Sequence, residues 1–377
     1  MNIPLSGPDI TQKEIDAVVA VLKTPHLSLG PKLPEFEKNF AQYIGSKHAL
    51  AVSSGTSGLH LCIRALGIQA GDEVITTPFS FISSANCILF ENAQPVFIDI
   101  RRDTLNIDES AIEAKITSRT KAILPVHVFG YPAAMEAIRK IANKHRLSVI
   151  EDACEAIGAK IDGKLAGLWG DCSVFAFYPN KQMTTGEGGM VVTNDDKIAE
   201  LVASMRNQGR DEGMAWLSHS RLGYNYRLSD INCALGIAQL QRISEILEKR
   251  AKVADLYRKH LSDIEEISLP PQGENGLVRS WFVYVIQLGK KIDSVQRDEI
   301  IKDLRENGIG CNIYFPAIHL QKLYLDRFGF KPGDFPITES VSQRTIALPF
   351  YNNLKEDAVI YIKQALQEAI KKVGRNG

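Results

Sequence analysis

Residues 175–192 read FAFYPNKQMTTGEGGMVV, and the fold turns on how this stretch is parsed. An apolar run, FAF, leads into a polar segment carrying Lys181. A loop with Gly186, Gly188 and Gly189 follows, and a second apolar run, MVV, starts at once. The pattern is strand, loop, strand, with a lysine at the mouth of the first strand. Such a lysine has three readings: a surface residue reaching out of a loop, a clamp on a phosphate, or a nucleophilic amine.

Outward from this stretch the same grammar repeats. Upstream lie the apolar runs ALAVSS (49–54), GDEVITTP (71–78), QPVFIDI (94–100), KAILPVHV (121–128), LSVIEDA (147–153) and CSVFAFY (172–178). Between them fall helical patterns such as EFEKNFAQYI, GLHLCIRAL, DESAIEAKI and AAMEAIRKIANKHR. Continuous runs rich in Val, Ile and Phe, separated by helices, predict an α/β chain with a mostly parallel sheet buried on both faces. Downstream, the polar loop DEGMAWLSHSRLGYNYR (211–227) leads to a helical stretch from Ser229 to about Leu261. Past the breaker LPPQGENG the order changes: strand SWFVYVIQL, helix SVQRDEIIKDLRENG, strand CNIYF and two helices. This predicts a small C-terminal α+β domain at 251–377 after a large domain at 1–250.

Composition excludes several classes. The chain has 377 residues, 45% hydrophobic and 23% charged, with no net charge and a pI near 7.1. It has no global pull toward nucleic acid or anionic membrane. The start, MNIPLSGPDITQKE, lacks a basic and then apolar leader pattern, and no apolar run reaches membrane-spanning length. The six cysteines have no paired spacing, so neither a zinc site nor a disulfide frame is expected. A cytoplasmic protein is the expectation.

In a doubly wound sheet, ligands sit at the carboxyl ends of the strands. After ALAVSS comes SSGTSG (53–58), opening a helix. There Gly55, Thr56 and Ser57 suit a phosphate, though such a run is also an ordinary helix cap. Asp152 ends an apolar strand, where an unpaired carboxylate is costly to desolvate and calls for a cationic partner or a structural salt bridge. Glu151 beside it faces the other way by strand alternation. Lys181 is at a third strand end. A phosphate cup, a carboxylate and an amine are the contacts that pyridoxal 5′-phosphate requires, for its phosphate, ring nitrogen and aldehyde. Phe81, in TTPFSFISS, is placed to cover the ring, or else is plain core.

The chain resembles the DegT/DnrJ/EryC1/StrS group of sugar-nucleotide aminotransferases. The resemblance spans nearly the whole chain and rests on LSLGP (27–31), SSGTSGLHL (53–61), GDEVITTPFSF (71–81), VIEDACEAIGA (149–159), FYPNKQMTTGEGGM (177–190), LGYNYRLSDINCALG (222–236) and IYFPAIHLQ (313–321). It implies the aspartate-aminotransferase-like fold, with a seven-stranded sheet in the large domain, and a homodimer whose active sites are shared between subunits. It implies that Lys181 bonds the cofactor aldehyde and Asp152 holds the ring nitrogen. Gly55, Thr56 and Ser57 hold the phosphate, and Phe81 stacks on the ring. Asn225 and Arg227 reach the neighbouring subunit's site, Asn225 toward cofactor and Arg227 toward substrate. His319 lies near the substrate, and Glu155 is grouped with it.

Two positions depart from the commoner pattern: Glu155 stands where His or Gln is usual, and Ala176 where Ser is usual. The second leaves Tyr178, Asn180 or a partner residue to complete the phosphate cup. The implied reaction takes an amino group from L-glutamate, releases 2-oxoglutarate and aminates a nucleotide-linked keto-sugar. Another reaction of the same fold on small amino acids, or a ligand sensor without catalysis, are the alternatives. Retention of Lys181, Asp152 and the cup together weighs against the sensor.

Overall fold

The computed structural model describes all residues except Met214, Trp216, Leu217, Asn376 and Gly377. Part of the polar loop at 211–227 therefore lies outside the described residues.

Seven strands make the central sheet: β1 (His48–Val52), β2 (Glu73–Thr76), β3 (Gln94–Phe97), β4 (Thr120–Ile123), β5 (Ser148–Asp152), β6 (Cys172–Ala176) and β7 (Gly189–Thr193). Their order across the sheet is β1-β7-β6-β5-β4-β2-β3. Strands β2 to β6 run parallel, and β7 is antiparallel to both its neighbours. The reversal lies in the quoted stretch: β6 and β7 are joined by the 177–188 loop, which holds no crossover helix.

Both faces of the sheet are covered, which explains the unbroken apolar runs. Alternate residues feed two cores. Val174 and Val191 pack with α3 (Gly55–Ala65) and α6 (Asp196–Arg206) on one face. Phe175, Met190 and Val192 pack on the other with Phe36 and Phe40 of α2 (Lys32–Ile44) and Ile237 of α7 (Asp230–Gln241).

A second sheet of β8 (Ile267–Ser268), β9 (Tyr284–Leu288) and β10 (Thr345–Leu348) is antiparallel, in the order β8-β9-β10. Its core takes in α9 (Ser294–Glu306) and the later part of α8 (Ile243–Leu261), through Val253, Tyr257 and Leu261. Ile243, at the start of α8, packs in the first sheet's core instead. Ile3, from the N-terminus, joins the second.

Three elements differ from the sequence expectation. The 229–261 stretch is two helices, α7 and α8, broken at Arg242, where φ is −104°. The Arg242 guanidinium is held there by Asp9, Glu14 and Glu245, and no local propensity reports those ion pairs. The helix expected over 108–116 is two short 3-10 turns, Glu109–Ala111 and Glu113–Lys115. The Asp108 side chain caps the first of them. CNIYF is not a strand: Asn312 alone bridges to Ala347. Its aromatic end instead packs Phe315 against Phe79 and Phe129.

Candidate active site

The carboxyl ends of β1, β5 and β6 open into one cavity of about 650 Å³. Gly55, Thr56, Phe81, Asp152, Glu155, Ala176 and Lys181 all line it. Residues that the sequence places up to 126 positions apart are thus brought to one place by strand order.

The first turn of α3 forms one wall. Ser54 caps the helix, its side chain accepting from the Ser57 amide at 3.1 Å. The amides of Gly55 and Thr56, in the first turn, have no intrahelical acceptor and lie at the positive end of the helix dipole. Gly55 is required by close packing. A Cβ there would lie 2.8 Å from Cβ of Ala176 and 2.9 Å from Sγ of Cys154. Thr56 Oγ1 hydrogen-bonds Ser83 Oγ at 2.7 Å, adding two hydroxyls to the cup. Ser57 stands apart from Gly55 and Thr56. It is buried outside the cavity lining, and its Oγ donates to the Ser54 carbonyl at 2.7 Å and accepts from the Ser54 amide at 2.9 Å. Its hydroxyl caps the helix.

Asp152 is buried at the end of β5. Its Oδ2 accepts from Ser84 Oγ at 2.6 Å and its Oδ1 from the Cys154 amide at 3.2 Å. Neither partner is charged. Glu151 does face the other way: its carboxylate gathers the amides of Gly167, Trp169 and Gly170 and the His127 ring.

Lys181 is no surface residue. Nζ lies 3.4 Å from Glu155 Oε1 and 3.9 Å from the centre of the Phe282 ring. The loop bearing it is pinned by Gln182, whose Nε2 donates to the Glu155 carbonyl at 2.6 Å and to Ser280 Oγ at 2.9 Å. Glu155 is fixed through its other oxygen, which accepts from the Phe129 amide at 2.8 Å. Burial raises the Glu155 pKa, with the nearby Lys181 charge opposing. Cys154 also lines the cavity, and burial pushes its thiol well above the ordinary value.

Phe81 is 59% exposed at the cavity wall, which rules out the plain-core reading. Tyr178 and Asn180, the expected stand-ins for a serine at 176, both line the cavity. Asn180 Oδ1 is buried with no hydrogen-bond partner among the described residues. Ser83, Ser84, Phe282 and Tyr314 also line it and were not singled out from sequence. The serine pair in FISSAN had a usable signal, because it follows a strand end. Phe282 and Tyr314 come from the small sheet's side of the cavity and had none.

Three further expected residues do not line this chain's cavity. Asn225 is exposed and pairs its backbone with Asn207. Arg227 donates to Asn207 Oδ1 at 3.1 Å. His319 is fully buried, its Nε2 3.0 Å from Glu339 Oε1 and its ring 4.7 Å from that of Phe335. Burial lowers its pKa. This histidine is packed beside Glu339 and Phe335 and does not line its own subunit's cavity.

An α/β sheet with a strand-end lysine, a buried carboxylate and a helix-dipole cup defines an aminotransferase of the aspartate-aminotransferase-like fold. A family model described as the DegT/DnrJ/EryC1/StrS aminotransferase family matches residues 8–367, and the chain belongs to that family. It is 38% identical to GDP-perosamine synthase of Caulobacter vibrioides, over 98% of each chain. Helicobacter pylori PseC, an aminotransferase involved in the biosynthesis of pseudoaminic acid, superposes with a TM-score of 0.92 at 30% identity, covering 99% of this chain and 100% of that one. Spr1654 of Streptococcus pneumoniae is known in PLP and PMP forms. Its PLP form superposes at 0.94 with 26% identity, over 99% of this chain and 100% of that one. The cofactor is pyridoxal 5′-phosphate. Among the described residues, no helix is long and apolar enough to cross a membrane.

Proposed function

We propose that this aminotransferase moves an amino group from L-glutamate to a keto-sugar carried on a nucleotide. The observation that carries the reading is the meeting of Lys181, Asp152 and the Gly55–Thr56 amides around one cavity with an aromatic side chain, Phe81, at its wall. The related enzymes named above, which act in sugar pathways, support the substrate class.

The residues fit the cofactor. The α3 amides and the Thr56–Ser83 hydroxyls would hold its phosphate, Asp152 its ring nitrogen, Phe81 its face and Lys181 its aldehyde carbon. Gly55 lets the first turn of α3 sit close against Ala176 and Cys154 at the cavity wall. When bound, pyridoxal phosphate supplies an aldehyde that exchanges amines and a ring that takes up electrons as a C–H bond breaks. Lys181 Nζ would take the proton from the donor α-carbon and return it to the cofactor carbon on the far side of the shared nitrogen, as a general base and then acid. Glu155 positions that amine, and Asp152 supplies the negative charge that keeps the ring nitrogen protonated. We further propose a homodimer in which Asn225 and Arg227, turned away from their own cavity, complete the neighbour's. There Arg227 would meet the sugar nucleotide's diphosphate through charge-assisted hydrogen bonds.

The test is to run the two halves of the reaction separately. Enzyme first converted to its amine form by L-glutamate is mixed with nucleotide-linked 3-keto and 4-keto hexoses, and the cofactor's absorbance is followed. Return of the starting spectrum with at least one keto-sugar is expected. Return only with simple 2-oxo acids would make this a general amino-acid transaminase.

A further inference from the structure

Outside the cofactor cavity, one cleft gathers positive charge with little negative charge to match it. It has a volume of about 320 Å³ and lies where the 102–105 loop and the Val128–Gly130 turn meet the second sheet. Arg102, Arg279, Lys290 and Arg344 line it. The acid that shares the lining, Asp103, is paired with Arg101.

Arg279 and Arg344 are each only 8% exposed. Every hydrogen bond they make goes to a neutral oxygen. Arg279 donates to the carbonyls of Phe129 and Pro271. Arg344 donates to those of Leu288 and Ser340 and to Ser340 Oγ. Arg102 and Lys290 are exposed at the rim, and among the described residues none of the four cations forms an ion pair. Burial lowers the pKa of both inner arginines, and Arg102 repels Arg344 further. A guanidinium nevertheless stays charged at neutral pH.

A buried arginine elsewhere in this chain shows the contrast. Arg242 is similarly buried but faces Asp9 and Glu14. Arg250 also donates to carbonyls, of Trp281 and Phe282, yet it acts alone as a staple and lines no such cleft. Four cations lining one cleft repel one another, and a counter-anion relieves both that repulsion and the cost of burying guanidinium charge among neutral partners, which are carbonyl and hydroxyl oxygens and, for Arg279, the Trp281 ring 4.2 Å from its Cζ.

We propose that this cleft is a second binding site, for a small phosphate-bearing anion, separate from the cofactor's phosphate cup. Arg279 and Arg344 have guanidinium edges suited to phosphate oxygens. Arg102 and Lys290 close over the anion from the rim, while Leu105 and Leu269 give apolar wall for a small organic body.

The test uses the enzyme saturated with pyridoxal phosphate, so that the cup is filled, and inorganic pyrophosphate as probe, by calorimetric titration at low salt. Saturable binding is expected, roughly tenfold or more weaker in an Arg102→Ala/Lys290→Ala double variant, as loss of two charge-assisted contacts requires. The transaminase rate without pyrophosphate should not change in that variant. Arg227→Ala, which alters the proposed diphosphate contact of the sugar site, should bind pyrophosphate as the wild type does. No binding by the wild type, equal affinity in the double variant, or loss of binding in Arg227→Ala would each overturn the site.

Discussion

At Glu155 two demands on one carboxyl conflict. Burial favours its neutral form, while the Lys181 charge and the Phe129 amide favour the ionised one, and burial prevails. The folded protein therefore keeps this proton to a higher pH than the unfolded chain, whose value is the ordinary 4.5. Stability from the bound proton is fully present below that value and is lost as pH rises through the folded pKa. Glu155→Gln keeps the shape and removes the ionisation. The melting temperature of the cofactor-free variant, minus that of wild type, should therefore move in the variant's favour from pH 4.5 to pH 8. A difference that does not change with pH would show that folding leaves the Glu155 pKa at its unfolded value.

Helix α3 is the element on which the cup depends, and it reaches the sheet through glycines. A Cβ at Gly58 would meet Val174 Cγ1 at 2.7 Å, and one at Gly189 would meet the Ser54 carbonyl oxygen at 2.7 Å. These contacts set how closely the first turn of α3 sits over β6 and β7. Gly55→Ala pushes that turn off Ala176 and Cys154. Overpacking of this kind costs about 1–3 kcal/mol, and the displaced amides should weaken pyridoxal phosphate binding as well. Gly7→Ala, with nothing within 4 Å of the added methyl, is the control and should stay within about 0.5 kcal/mol of wild type. Chemical denaturation and cofactor titration of both variants check the pair. A Gly55→Ala enzyme with wild-type cofactor affinity would separate the cup from the helix.

For the whole molecule, the question is whether one chain makes a complete site. Asn225 and Arg227 lie on a segment that leaves the cavity of their own chain, so the proposed homodimer predicts complementation. Lys181→Ala and Arg227→Ala subunits, each inactive alone, should recover part of the wild-type activity when mixed under conditions of proven subunit exchange. One of the two sites in the mixed dimer then regains every part. Absence of recovery, with exchange demonstrated, would place the Arg227 role within a single chain.

The sequence by itself determined what depends on near neighbours and strand position. Unbroken apolar runs required a sheet covered on both faces, and the strand ends located Asp152, Lys181 and Gly55, because a polar group at the end of a buried strand must face a cavity or a partner. The resemblance then specified their chemistry. Tertiary structure alone decided the rest. His319 turned into the core because Glu339 and two aromatic rings were waiting there. The break at Arg242 came from Asp9 and Glu14, and the ring over Lys181 came from Phe282 beyond the helix pair. Each of these joins residues distant in sequence, and such contacts exist only once two separately patterned sheets have docked. Local periodicity carries no information about that docking.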